Sequence, residues 1–224
     1  NLAKQFLQSH LPIQTTAWVS QVHTVQCPAF ETTPTIDQIE ASAVRCPDAE
    51  SAEKMQQAIL EAKNSGDSLG GVISVAVDHI NIGLGEPVFG KLQSVISQYL
   101  FSINAVKGIS FGEGFRASEM KGSQHNDAWI STHQNENPFA AKTNHAGGIV
   151  GGISTGMPIR LEVAFKPTST IFKPQETINS NFEPEILTAE GRHDPCVLPR
   201  AVPIVEAMVW LAIADIYLES SSKI

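Results

Sequence analysis

The segment Gly191-Arg192-His193-Asp194-Pro195-Cys196 puts a guanidinium, an imidazole and a carboxylate on consecutive residues. These are the groups of charge and proton-transfer chemistry. Pro199-Arg200-Ala201-Val202-Pro203 follows and leads into a long apolar run. Charged groups held against a core element are costly unless they are paired or used. The segment is therefore a site candidate on residue type alone.

Other segments are equivocal singly. Asn144 to Ile153 carries Gly147, Gly148, Gly151 and Gly152. Glycines let main chain approach a ligand closely and present amide donors to anions. The run has neither the P-loop lysine nor the dinucleotide spacing, and tight packing on a neighbouring strand explains it as well. Lys166-Pro167-Thr168-Ser169-Thr170 offers one ammonium and three hydroxyls just after a strand. That set suits a phosphate or a polar ring edge, but it also makes an ordinary hydroxyl-rich turn. Gly66 to Gly71 and Ser102 to Gly108 read as helix stops, although the Asn104 amide could read a ligand's donor and acceptor edge. Gly122 to Asp127 is a lid or a plain loop. His10, His23, His79 and His133 are scattered, and no carboxylate–histidine spacing suggests a metal site.

The elements that must position these residues follow from periodicity. A helix over residues 1–9 carries Leu2, Phe6 and Leu7 on one side. β-prone pieces lie between Ile13 and Val25. Asp48 caps a helix through Asn64, with Met55, Ile59 and Ala62 as its apolar stripe and Gly66 as its stop. Val72 to Val77 is a strand. Gly83 to Pro87 is a turn, and the stripe Phe89, Leu92, Val95, Ile96, Tyr99 and Leu100 predicts a core helix from about Phe89 to Ile103. Ser123 to Asn144 lacks periodicity and reads as a loop or excursion. Ile159, Leu161, Val163 and Phe165 alternate with polar residues as in a half-buried strand. A weaker strand pair flanks Asn179 to Asn181. Pro203 suits the first turn of a final helix, apolar nearly all round and so buried or at a subunit interface.

Bulk properties set bounds. The 224 residues suffice for one sizeable domain, and the expectation is a single α+β domain over 1–224. A net charge of −8 argues against nucleic-acid binding. Cys27, Cys46 and Cys196 form no short-spaced metal motif and read as reduced structural thiols of a cytoplasmic protein. The apolar run Ala207 to Leu218 is interrupted by Asp215 and falls short of a membrane span. The chain opens without Met inside an amphipathic pattern, so the expectation is that it starts partway through a longer protein.

The order of the segments is more telling than any one of them. GDSLGG, GLGEPVFGKL, SINAVKG, GSQHND, NHAGGIVGGISTG, KPTST and GRHDPCVLPRAVPIVEAM occur in that sequence, and together they resemble chorismate synthase from about residue 1 to the end of the last helix. The resemblance implies a β-α-β sandwich, with helices packed between antiparallel sheets, here incomplete. It implies a homotetramer and a lyase that converts 5-enolpyruvylshikimate 3-phosphate to chorismate and phosphate by anti-1,4-elimination, with reduced FMN and no net redox change. Some members reduce their own flavin, which makes NADPH a candidate reductant. By resemblance, Asn104, Ala105 and Gly151 meet the flavin, and Lys166, Pro167, Thr168, Ser169 and Thr170 hold its polar atoms. Arg192 lies between flavin and substrate, and Asp194 is the carboxylate near the flavin N5. Arg200 reads as a tie between the Pro-rich exit and the last helix.

Two departures from the family pattern stand out. Its acid–base histidines, substrate-clamping arginines and an Arg-Glu-Thr motif are expected before residue 1, so the chain taken alone is expected to be inactive. The stretch Ala128 to Ala141 is longer than the family pattern. The alternative is a non-catalytic flavin- or anion-binding or assembly module. A general flavin oxidoreductase is disfavoured by the lack of a dinucleotide fingerprint.

Overall fold

The strand from Ile159 shows how the chain organises itself: Ile159, Leu161, Val163 and Phe165 are all buried, while Glu162 is exposed. The structure, a computed structural model, describes residues 2–132, 139–191 and 193–221. In chain order the elements are α1 (Leu2–Gln8), β1 (Gln14–Val22), β2 (Val25–Gln26), α2 (Ile36–Glu40), α3 (Ala49–Asn64), β3 (Gly71–Asp78), α4 (Leu92–Phe101) and β4 (Val106–Phe111). A 3-10 helix (Gly114–Glu119) follows, then α5 (Gly122–His125), β5 (Trp129–Ser131), β6 (Phe139–Ala141), β7 (Ile149–Val150), β8 (Ile153–Ser154), β9 (Ile159–Phe165), β10 (Gln175–Ile178), β11 (Pro184–Leu187) and α6 (Leu198–Ser221). The class is α+β. One sheet has the order β2-β1-β3-β9-β4, and three two-stranded sheets pair β5 with β6, β7 with β8 and β10 with β11, all antiparallel.

The chain divides into two compact units. The first comprises Asn1–Ala17, Ser74–Val163 and Pro203–Ile224. Its buried side chains include Leu7, Ile13, Leu92, Ile96, Ile159 and Trp210, each contributing about 1.5–3 kcal/mol of apolar transfer. The second comprises Trp18–Ile73 and Ala164–Val202, with Ile39, Met55, Ile73, Phe165 and Leu198 buried.

Local chemistry explains most boundaries. Asp48 caps α3 by accepting from the Ser51 N–H at 2.8 Å, and Gly66 ends that helix with φ +70°. Ala52, Met55 and Ala62 are its buried residues, while Ile59 is half-buried. The β10–β11 hairpin flanks the turn expected near Asn179.

Several expectations are corrected. In α1, Ala3 and Leu7 share the inward face, so Leu2 lies exposed. The second predicted helix begins at Leu92, not Phe89. Val88 has φ +69° and the Glu86 N–H bonds the Gly90 carbonyl, which makes a turn that leaves Phe89 exposed. The polar stretch after Ser123 is an excursion rather than a loop. It holds α5 and the β5–β6 hairpin, where Trp129 meets Phe139 edge-on at 5.4 Å.

The last helix begins at Leu198, so Pro203 sits inside it. Proline has no N–H for the carbonyl four residues back, and that Pro199 carbonyl accepts instead from Arg45 Nη1 at 2.7 Å. Residues 198–220 are long and apolar enough to cross a membrane by length and composition. Half of that window is buried within the fold, as in a core helix.

Candidate functional site

The polar segments gather into two clusters, one in each unit. In the second unit, three stretches far apart in sequence are bonded to one another: the loop before β3, the exit of β9 and the approach to α6. The buried Ser68 hydroxyl donates to the Thr168 carbonyl at 2.7 Å. The Thr168 hydroxyl donates to the Asp194 carbonyl at 3.1 Å. The Leu69 N–H donates to the Pro195 carbonyl at 2.7 Å, and Leu69 forms a parallel bridge with Cys196. Gly70 allows this approach, because a Cβ there would lie 2.4 Å from the Phe165 carbonyl oxygen.

The charges of this cluster are mostly paired. Asp194 Oδ2 accepts from Arg200 Nη1 at 2.7 Å. Asp67 Oδ2 meets Lys173 Nζ at 2.6 Å. The hydrogen bond from Lys173, with help from the Ser68 N–H, holds the Asp67 carboxyl below the usual carboxylate range. Lys166 folds its ammonium back onto the Ser169 hydroxyl and the Pro167 carbonyl. Ser169 and Thr170 are exposed. His193 turns aside, with Nε2 on the Glu190 carbonyl at 3.1 Å and its ring against Phe172. Burial pushes the Cys196 thiol up to about 11, a Leu198 main-chain hydrogen bond counters this and Asp194 adds to it. Arg192 lies outside the described residues.

In the first unit, Asn104 and Ala105 form the link between α4 and β4. Ala105 takes φ +71°, and Asn104 is exposed. Gly151 and Gly152, both at positive φ, make the two-residue turn between β7 and β8. Nothing lies within 4 Å of where a Gly151 Cβ would stand. This turn borders a cleft of about 550 Å³ lined also by His125, Trp129, Asn144, Val150 and Met157.

The cleft wall is anchored by residues the sequence reading left unassigned. Asp127 accepts from the Thr143 hydroxyl at 2.7 Å, the His145 N–H at 2.8 Å and the Ala146 N–H at 3.0 Å. Burial raises its carboxyl, but these bonds outweigh it and hold the group below the usual range. The Asn144 side chain donates to the Pro158 carbonyl and accepts from the Gly148 N–H. His145 Nδ1 and Glu113 Oε1 are 2.9 Å apart. The GSQHND motif contains Asp127, but its partners are local to the fold, and no spacing announces them. Among the described residues no group of three or more His, Cys, Asp or Glu could hold a metal.

The residue set of the second unit pairs a carboxylate, ammonium and guanidinium with exposed hydroxyls. It can bind a polar or anionic group and hold a proton-transferring carboxylate in a fixed place.

Comparison with known proteins is consistent throughout. A family model described as Chorismate synthase matches residues 1–218. A chorismate synthase of Synechococcus sp. (strain RCC307) is 49% identical over 214 residues, covering 96% of this chain and 59% of that protein. One from Porphyromonas gingivalis (strain ATCC BAA-308 / W83) is 46% identical over 224 residues, covering 99% and 60%. A crystal structure of chorismate synthase superposes with TM-score 0.78 at 27% identity, over 98% of this chain and 60% of that one. The fold is thus shared with that structure, and the chain spans about 60% of the length of these relatives.

Proposed function

Since the chain belongs to the chorismate synthase family, we propose that it supplies part of the active site of a chorismate synthase. The reaction is the anti-1,4-elimination of phosphate from 5-enolpyruvylshikimate 3-phosphate to give chorismate. The observation that carries this reading is the bonding of the KPTST turn to the GRHDPC segment, through Thr168 and Asp194. That bond mounts a carboxylate beside a hydroxyl-rich loop.

The residues fit a flavin. Ser169 and Thr170 offer exposed hydroxyls to its polar atoms. In this proposal Lys166, Pro167, Thr168, Ser169 and Thr170 hold the polar atoms of reduced FMN, and Asn104, Ala105 and Gly151 offer it main chain. Arg192 contacts both flavin and substrate. When bound, reduced FMN supplies the transient electron donation that eases departure of an allylic phosphate. Asp194 would hold and return the proton at its carboxylate. Lys166 and Arg192 supply positive charge, which stabilises the anionic groups of flavin and substrate. The same reading makes the protein a cytoplasmic homotetramer, with NADPH as a candidate reductant of the flavin.

The test is chorismate formation by the full-length protein that carries this chain, without oxygen, using chemically reduced FMN. Asp194→Ala should lose turnover while keeping flavin affinity. Flavin binding without chorismate from the wild-type protein would instead mark a non-catalytic binding module.

A further inference from the structure

The Asp194 main chain is fixed on several sides, while among the described residues its carboxylate is held at one point. Its own carbonyl takes the Thr168 hydroxyl, the next carbonyl takes the Leu69 N–H, and the Pro199 carbonyl takes Arg45. The carboxylate meets Arg200 Nη1 through Oδ2, and among the described residues no hydrogen bond engages Oδ1. Arg200 itself is mounted on the first turn of α6, next to the buried Leu198 and the latched Pro199.

We propose that Arg200 is a positioning residue for Asp194. Its guanidinium occupies Oδ2, fixes the carboxylate rotamer and leaves Oδ1 as the oxygen that exchanges the proton. This rests on the reading of Asp194 given above. An exposed ion pair contributes little to folding, and here the Arg200 and Asp194 side chains are 68% and 32% exposed. The pair's effect therefore falls on orientation. A charge-assisted bond at 2.7 Å orients one carboxylate oxygen. A third group that orients the acid or base is a common catalytic arrangement.

The experiment compares Arg200→Ala, Arg200→Lys and Asp194→Ala in the full-length protein, without oxygen, with chemically reduced FMN and 5-enolpyruvylshikimate 3-phosphate. Arg200→Ala should lower kcat by about 10- to 100-fold while KM and reduced-FMN affinity stay within about twofold. Its thermal midpoint should be unchanged. Arg200→Lys, and guanidinium ion added to Arg200→Ala, should each restore part of the loss. Full kcat in Arg200→Ala beside an inactive Asp194→Ala would overturn the proposal. So would a loss of kcat matched by equal losses of flavin affinity or stability. If Arg200→Ala fails to fold, Arg200→Lys and Arg200→Gln decide by the same split between kcat and KM. Full turnover by Asp194→Ala is a different pattern, and it would remove the reading of Asp194 itself.

Discussion

Asp127 and His145 are tied main chain to side chain: the Asp127 carboxylate takes the His145 N–H at 2.8 Å and, through its other oxygen, the Ala146 N–H at 3.0 Å. The Thr143 hydroxyl completes the set. Asp127→Ala strands three donors, two of them amides, and should cost about 2 kcal/mol of unfolding free energy. Asp127→Asn should cost less, since its oxygen still accepts. The folded-state pKa lies below the ordinary 3.8. The stabilisation is therefore full above that value and lost as pH falls through the folded one. Acid titration of the thermal midpoint should show wild type and Asp127→Ala converging below pH about 4.

The Gly112–Gly147 approach in the first unit is closer than any side chain allows. A Cβ on Gly112, at φ +56°, would lie 2.0 Å from the His145 carbonyl oxygen. Gly112→Ala should destabilise by about 3 kcal/mol or more, combining overpacking with left-handed strain. Denaturant midpoints measure this directly, and a shift under about 0.5 kcal/mol would mean that the loop can relax.

The thiols should be inert in the native protein. Burial raises Cys27 to about 12, with Cys46 beside it adding to the effect. Burial also raises Cys46, and it takes Cys196 to about 11. Only the thiolate reacts. Native protein at pH 8 should label with a disulfide reagent far more slowly than free cysteine, and all three cysteines should label at once after denaturation. Fast native labelling would contradict the burial.

Trp210 tests the character of the last helix. It is fully buried, donates to Glu206 Oε1 at 3.3 Å and lies under Lys4, whose Nζ is 5.9 Å from the ring centre. Trp210→Ala should cost about 3–5 kcal/mol in aqueous unfolding. A helix that met lipid there would show far less.

What could be read in advance was whatever a short window encodes. The alternation of β9, the Asp48 cap and the β10–β11 pair all depend on residues within a few positions of each other. Helix α2 carries a local signal that hydrophobic periodicity does not show. Thr35 and Gln38 form a reciprocal capping box, with the Thr35 N–H on Gln38 Oε1 at 2.8 Å. Strand β4 was hidden because Gly108 interrupts Val106–Phe111 and its pattern does not alternate. The start of α6 is obscured in the sequence because a proline at its sixth position reads as a beginning, and nothing near Pro203 in sequence points to Arg45. At the candidate site, residue types marked the KPTST and GRHDPC segments. The Thr168–Asp194 and Asp194–Arg200 bonds needed the fold.

The supports of Asp194 also set an order of events. Ser68 and Thr168 are 100 residues apart, and Arg45 and Pro199 are 154 apart. Closing such loops costs chain entropy before any contact repays it. The carboxylate is therefore assembled late in folding, after α3 and the β10–β11 hairpin have formed from neighbours in sequence. A partly folded chain would hold native-like secondary structure and an unmade candidate site. Recovery of function on refolding should lag behind recovery of helix signal.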